Sequence, residues 1–433
     1  MTQPSPVIDG HPEPDASPSI WQDSAFVRVW AAASISYVGS FITRSALPLA
    51  AIYGLSAGAL ELSAIRSVEF VGWLVMGLVA GAWVDRLRRR PVMIAADIGR
   101  AVVLGSIPIA AVAGALTLAH LIVAAFLAAI LSVYFDAAST AYLPSIVARS
   151  RLVAANSALS ASGSVAEFTG FALGGILVQI LTAPIAIAAD AVSFVASGAL
   201  LASIRRPELA RPPAADREPV LREIREGIDV VAGSPILRAL AFAHAGTHLL
   251  WGVFGATYLL FATNDIGLGP AAIGLITGIG GLGAFVGAAL AGRMVARFGA
   301  GHTMAIGLAG TAFGSALIPL APSGAVMVGA VLLIAQQVIG DAFGVAYEVV
   351  EESVTQAMVD DRVLGRVRAT ISFVTTVTAL AGAIIGGIVG ELVGLRAAFL
   401  VGLVGSVGAV VVVWWSPVRH LRTIEEAGRL ATT

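Results

Sequence analysis

The residues able to do chemistry here are ionisable side chains embedded in apolar surroundings. They are Arg44, Arg66, Glu69, Asp97, Arg100, Asp136, Glu167, Asp190, His244, His248, Asp341, Glu348, Glu351 and Glu352. An ionised group at the centre of a membrane-crossing helix costs roughly 2.5–3.5 kcal/mol on insertion scales, so each needs a partner or a role. Arg66 with Glu69, and Asp97 with Arg100, are three residues apart and share a helix face, which suits mutual neutralisation. Asp136 and Glu348 suit another chemistry. A carboxylate in a desolvated cavity holds a proton more readily, and a cationic ligand displaces it, so such a group can exchange a proton for a cation. A salt bridge to an arginine of an adjoining loop is the competing role for Asp136. His244 and His248 are spaced to chelate a metal, but no acidic third ligand is adjacent and the glutamate of a zinc-protease motif is missing. With Trp251 and Phe254 they read as a polar and aromatic cavity wall, and no metal or cofactor is expected.

These residues must be positioned by membrane-spanning helices. The chain has 433 residues, 58% hydrophobic and 12% charged, with a mean hydropathy of +0.90. Soluble domains carry about 25% charged residues. There is no cysteine, which excludes disulfides, thiolate metal sites and catalytic thiols. A net charge of −1 argues against nucleic acid as a partner. All 26 basic residues are arginine, which together with the abundant Ala and Gly points to a GC-rich bacterial genome. No Walker loop is visible, and Gly54-Leu55-Ser56-Ala57-Gly58, although it fits a nucleophile-elbow pattern, has no strand before it and reads as a loop.

Runs of about 18 or more apolar residues predict twelve transmembrane helices. They lie near residues 27–50, 62–84, 92–115, 120–145, 155–180, 183–204, 236–262, 271–292, 303–321, 324–350, 368–390 and 394–416. Residues 1–25, with five prolines, read as a disordered tail, and 205–235, rich in charge and proline, as a linker whose second part is a surface helix. The expected organisation is therefore a six-helix bundle over 26–204, the linker, a second bundle over 236–417 and a tail over 418–433. With both termini cytoplasmic, every arginine except Arg44, Arg66 and Arg396 falls in tails, inner loops or inner helix ends, as the positive-inside rule requires.

The halves repeat. Gly170, Gly174 and Gly175 in the fifth run recur 212 residues later as Gly382, Gly386 and Gly387 in the eleventh, and Asp136 and Glu348 are related by the same offset. Between the second and third runs stands Gly81-Ala82-Trp83-Val84-Asp85-Arg86-Leu87-Arg88-Arg89-Arg90, with a decayed copy after the eighth where Ala296 replaces Asp85. Near-equal offsets mean a duplicated six-helix unit.

The Gly81–Arg90 stretch resembles the signature loop of the major facilitator superfamily, Gly-x-x-x-Asp-Arg-x-Gly-Arg-Arg, matched by Gly81, Asp85, Arg86, Arg89 and Arg90. Arg88 stands where most of the superfamily has Gly, a variant similar to the drug exporter branch that contains macrolide and enterobactin exporters. Gly170, Gly174 and Gly175 resemble part of the antiporter motif, with Phe171 in place of its Pro. The arginine common on the fourth helix of proton-driven exporters is absent. The resemblance implies an all-α membrane protein of two repeat-related six-helix bundles working by alternating access, an inner gate at the hinge reinforced by Asp97 and Arg100, and a central cavity lined by helices 1, 4, 7 and 10. Asp136 and Glu348 would face each other across that cavity, near Arg44, Glu167, Asp341, His244, His248 and Trp251. The expected function is non-enzymatic export of an apolar or cationic small molecule in exchange for protons, by a monomer in the bacterial plasma membrane. A siderophore exporter or an importer is the alternative within transport, and a non-transporting membrane sensor is the rival of another class.

Asp85→Asn is expected to leave the protein inserted but to slow transport severely, since an amide keeps the shape and loses charge-assisted bonds about twice as strong as neutral ones. Wild-type transport at equal membrane abundance would show the loop to be merely topogenic.

Overall fold

The computed structural model describes residues 19–84, 87–206 and 220–431. The first half comprises α1 (Ser24–Leu55), α2 (Ala59–Val84), α3 (Arg89–Val112), α4 (Leu118–Ile146), α5 (Leu152–Ile180) and α6 (Ala183–Ala202). The linker helix α7 (Val220–Gly233) precedes the second half. That half comprises α8 (Pro235–Leu260), α9 (Pro270–Phe298), α10 (Ala300–Leu320), α11 (Val326–Met358), α12 (Asp361–Leu392) and α13 (Leu395–Trp415), and α14 (Ile424–Ala431) ends the described chain. Eleven of these helices are long and apolar enough to cross a membrane, and α2, of 26 residues with Glu61, Arg66 and Glu69, packs among them against α4 and α12.

Local chemistry sets the boundaries. Side chains of Asp23, Thr117, Ser234 and Asp360 accept from backbone N–H groups at the starts of α1, α4, α8 and α12. Gly299 (φ 84°) lets α9 turn directly into α10, and Ser56 (φ 53°) turns α1 into α2 within the Gly54–Gly58 stretch. Helix ends differ most from the hydropathy reading in the second half. There α9 continues to Phe298, α11 to Met358, and α12 starts at Asp361. The added turns carry Arg293, Arg297, Glu351, Glu352, Arg362 and Arg366, so apolarity ends before the helix does.

Order also begins and ends outside the expected bounds. Ser19 caps a short turn at Ile20–Gln22, where Ile20 is buried and Trp21 meets Phe26 and Trp30 edge-on, although residues 19–25 fall in the expected disordered tail. At the other terminus α14 packs on α11 with Ala427 fully buried.

The two halves pack by one plan. In the first, α1 meets α5 and α6, α3 meets α4 and α6, and α2 meets α4. In the second, α8 meets α12 and α13, α10 meets α11 and α13, and α9 meets α11, the same set shifted by the repeat. The repeated glycines do matching work. Gly170 and Gly174 press on α1 at Phe41 and Ile42, while Gly382 and Gly386 press on α8 at Leu249 and Val253. Gly175 and Gly387 instead reach the other half. A Cβ on Gly175 would collide with the Pro270 carbonyl and the Gly274 backbone, and one on Gly387 with Ser63. These contacts make two seams between the halves, α5 on α9 and α2 on α12. Both lie toward the end away from the termini, where Gln179 also accepts from the Ala271 N–H at 3.0 Å. At the terminal end Val153, Asn156 and Ser160 of α5 are exposed. The halves are thus closed against each other at the far face.

Arginines organise the terminal face of the first half. Arg28, Arg90 and Arg206 converge on the end of α6. Arg90 donates to Leu201 O at 2.8 Å and to Ala202 O, and Arg28 donates to Ser203 O, which satisfies carbonyls that a helix C-terminus leaves open. Arg206 bonds Asp23 at 3.0 Å and Ile146 O at 2.7 Å. Burial opposes ionisation of Asp23, but Arg206 and the N–H groups of Ala25 and Phe26 outweigh it and hold the carboxyl below its ordinary range.

In the cysteine-free chain, Ala115→Cys on the far face should label with a membrane-impermeant thiol reagent in intact cells, and Ser150→Cys on the terminal face only after lysis. Labelling of the second in intact cells would reverse the orientation.

Candidate functional site

Between the halves lies a cavity of two adjoining chambers. One, of about 230 Å³, is walled by α1, α2 and α5 of the first half and α8, α9 and α11 of the second. The other, of about 630 Å³, is walled by the first half alone. They share Thr43, Arg44, Leu47, Arg66, Glu69 and Glu167, which therefore stand where the chambers meet.

At that junction Arg44 reaches into the open space beside the Phe41 ring, at 5.3 Å, and forms no hydrogen bond or ion pair among the described residues. It lies in the field of Arg66, Glu69, Glu167 and Asp136. Arg66 and Glu69 pair at 2.5 Å, as their spacing suggests, with the Arg66 stem across Gly255 of α8. Asp136 lines the first-half chamber and Glu167 both chambers. Asp341, from the second half, lines the smaller chamber with its carboxylate over Gly280, where any side chain would displace it. Beside it Gln337 donates to Thr277 O at 3.2 Å. The carboxylates of Asp136, Glu167 and Asp341 have no hydrogen-bond donor among the described residues. Trp251, Phe254, Phe171 and Tyr258 supply aromatic wall, with Trp251 edge-on to Phe254 at 5.5 Å.

Several expected members lie elsewhere. Glu348 does not line either chamber and so does not face Asp136. It sits two turns beyond Asp341 toward the terminal face, in the field of His244 and Glu351. His244 and His248 are not cavity wall either. Nε2 of His244 lies 2.9 Å from Glu351, and the His248 ring bonds back to His244 O at 3.0 Å. Cavity and histidines occupy different levels of α8, and of these four expected wall residues only Trp251 and Phe254 line a chamber. Among the described residues no cluster of three or more ligating side chains could hold a metal.

The expected link from Asp97 and Arg100 to the hinge is also replaced. Asp97, with no exposed surface, takes Arg100 at 2.5 Å and Ser197 at 2.7 Å. The Arg100 guanidinium is held between the rings of Phe135 and Phe194, at 4.5 and 4.1 Å. The pair lies within the first half, with Asp97 fully buried and Arg100 bordering the larger chamber. Of the hinge itself, Asp85 and Arg86 lie outside the described residues, as do the side-chain surroundings of Gly81. Arg89 is buried at the start of α3, and Arg90 caps α6. Sequence reasoning passed over Gln337, Tyr258 and the setting of Asp190. That carboxyl is fully buried and takes Thr43 at 2.5 Å and Ser193 at 3.0 Å, with no cation bonded to it.

Two repeat-related bundles of six long helices each, eleven of the twelve long and apolar enough to cross a membrane, enclose a polar cavity and define a transporter fold of the major facilitator type. The chain belongs to the superfamily's family described as transmembrane secretion effector, which matches residues 17–431. It is 30% identical over 174 residues to an uncharacterised MFS-type transporter, y4rN, of Sinorhizobium fredii, a match spanning 40% of this chain and 42% of that relative. Solved structures share the fold at low identity. A mutant of the nucleoside transporter NupG has a TM-score of 0.74 at 12% identity, covering 90% of this chain and 99% of its own. A bacterial homologue of the iron transporter ferroportin, in an inward-facing state, has a TM-score of 0.69 at 17%, covering 92% and 99%. A bacterial homologue of the lysosomal transporter Spinster, inward-facing and unoccupied, has a TM-score of 0.66 at 15%, covering 94% and 98%.

Asp97→Ala should cost about 3–5 kcal/mol by leaving Arg100 buried without its carboxylate. In detergent the variant should unfold at a markedly lower temperature than the parent, and an unchanged transition would mean that water reaches the pair.

Proposed function

We propose that this chain is a secondary active exporter of an apolar or cationic small molecule, driven by exchange for protons. One observation carries the reading. The cavity gathers Glu69, Asp136, Glu167, Asp190 and Asp341 against Arg44, Arg66 and Arg100, and Asp136, Glu167 and Asp341 have no donor bonded to them. An acidic, aromatic-walled pocket suits a lipophilic cation, and a carboxylate that must be either protonated or paired with a cation makes the two ligands compete. Competition at one site is what exchange requires.

In this reading Asp341 and Glu167, on opposite halves of one chamber, are the leading proton carriers, with Asp136 behind them. Glu348, which lines neither chamber, comes after them in this reading. Closure at the far face corresponds to a state open toward the terminal face, taken here as cytoplasmic, in a bacterial plasma membrane. The halves divide at the linker over 205–235 and rock about the cavity as a monomer. The hinge would stabilise the opposite state.

A susceptibility panel of lipophilic cations, in a host lacking its own exporters, identifies a transported compound. In inverted vesicles an imposed inside-acid gradient should then drive its uptake, and uncoupler should abolish it. One pH unit supports roughly tenfold accumulation in one-for-one exchange. Asp341→Asn and Glu167→Gln should each abolish most of that accumulation while leaving downhill exchange. If both variants accumulate like the parent at every pH, the coupling site lies elsewhere, and uptake that ignores the gradient would remove proton exchange altogether.

A further inference from the structure

The buried His244 and Glu351 take no part in the cavity. Their exposures are 9% and 5%, and Nε2 of the imidazole lies 2.9 Å from a carboxylate oxygen. The other oxygen of Glu351 accepts from Thr355 at 2.8 Å. Both ring nitrogens of His244 are buried and neither makes a hydrogen bond among the described residues, so Nε2 meets Glu351 by proximity alone. The surroundings are apolar, formed by Leu240, Ala243, Val350 and Val354. The charged and titratable groups around the pair are few. His248, on the same helix, has its ring 5.7 Å away, Tyr347 of α11 lies at 5.6 Å, and Glu348 is near enough to act through its charge. Among the elements packed on α8, α13 has Arg396 and α12 has Glu391, both toward the far end, while Arg362, Arg366 and Arg368 of α12 are engaged by Asp360, Glu226 and Glu352, Arg66 of α2 by Glu69, and Arg419 of the Pro417–His420 turn by His420. On the helices packed on α11, α9 carries Arg293 and Arg297, α10 carries His302 against Trp414, and α14 carries Glu425, Glu426 and Arg429. On α7, Arg225 faces Asp229.

We propose that His244 and Glu351 form a proton-binding dyad in the second half, distinct from the cavity carboxylates and loaded from the terminal side. With neutral imidazole the pair is a net anion in an apolar site. A bound proton makes it an imidazolium–carboxylate pair of zero net charge, and a buried paired charge costs less than a buried lone one. Glu348, one turn away on α11 and exposed, adds negative potential and offers the water-side entry. Exchange of this proton sets how strongly α8 and α11 are drawn together at this level. The site is independent of the transport reading, because it is loaded in protein that carries no substrate.

The test is a proton titration of the full chain in lipid nanodiscs, labelled at histidine Cε1 with carbon-13 and followed by magnetic resonance. The chain has 6 histidines, and His244→Gln assigns the resonance. The His244 resonance should move with pH as the dyad exchanges its proton. Glu351→Gln should lower its midpoint by about one unit or more, a tenfold loss of proton affinity. Thr355→Val, which removes the hydroxyl donor from the carboxylate, should raise it. Glu352→Gln, which touches only the exposed pair with Arg368, should leave it unchanged. The remaining histidine resonances report that each variant is folded. A His244 signal fixed as neutral or as imidazolium throughout, or a midpoint unmoved in both Glu351→Gln and Thr355→Val, would overturn the dyad.

Discussion

A charge inside an apolar bundle has three stable fates: a partner, water, or a proton. Each is used here in a different place. Asp97 and Arg100 have the first, with the guanidinium between Phe135 and Phe194 and Ser197 donating to the carboxylate. Arg44, Asp136, Glu167 and Asp341 have the second, because they stand in a cavity between the halves. Asp190, at the edge of the larger chamber and bonded by the hydroxyls of Thr43 and Ser193 with no cation, suits the third.

Duplication supplied the frame and divergence supplied the chemistry. Packing partners match helix for helix between the halves, and the glycines that permit close approach occur at equivalent places. The polar residues do not follow. The counterpart of Glu348 is Asp136, yet one faces His244 and Glu351 while the other faces Arg44 and Arg100. Close-packing requirements survive duplication because backbone geometry is shared, whereas a side-chain charge is free to find a new neighbour in each copy.

That difference sets what could be read from the chain alone. Helix number and repeat were legible because both leave periodic or composition-level marks, and the Arg66–Glu69 pair was legible because three-residue spacing already puts two side chains on one face. Helix ends in α9, α11 and α12 were not, since hydropathy follows the hydrocarbon and not the hydrogen-bond ladder. The cavity was partly legible. Arg44, Glu167, Asp341 and Trp251 stand in it, but His244, His248 and Glu348 do not, because a position on the right helix says nothing about depth or facing. Gln337 and Tyr258 carry no sequence signal that separates a cavity wall from an ordinary buried contact.

The arginines at the end of α6 bear on how the protein is made. Arg28, Arg90 and Arg206 bond Leu201, Ala202, Ser203, Ile146 and Asp23, and no later residue takes part in those bonds. The last of the three emerges four residues after α6 ends. During synthesis the first six helices can therefore be locked at their terminal face before any of the second half has left the ribosome. The growing chain then holds a finished surface, bearing Gly175 and Ser63, against which α9 and α12 assemble on arrival.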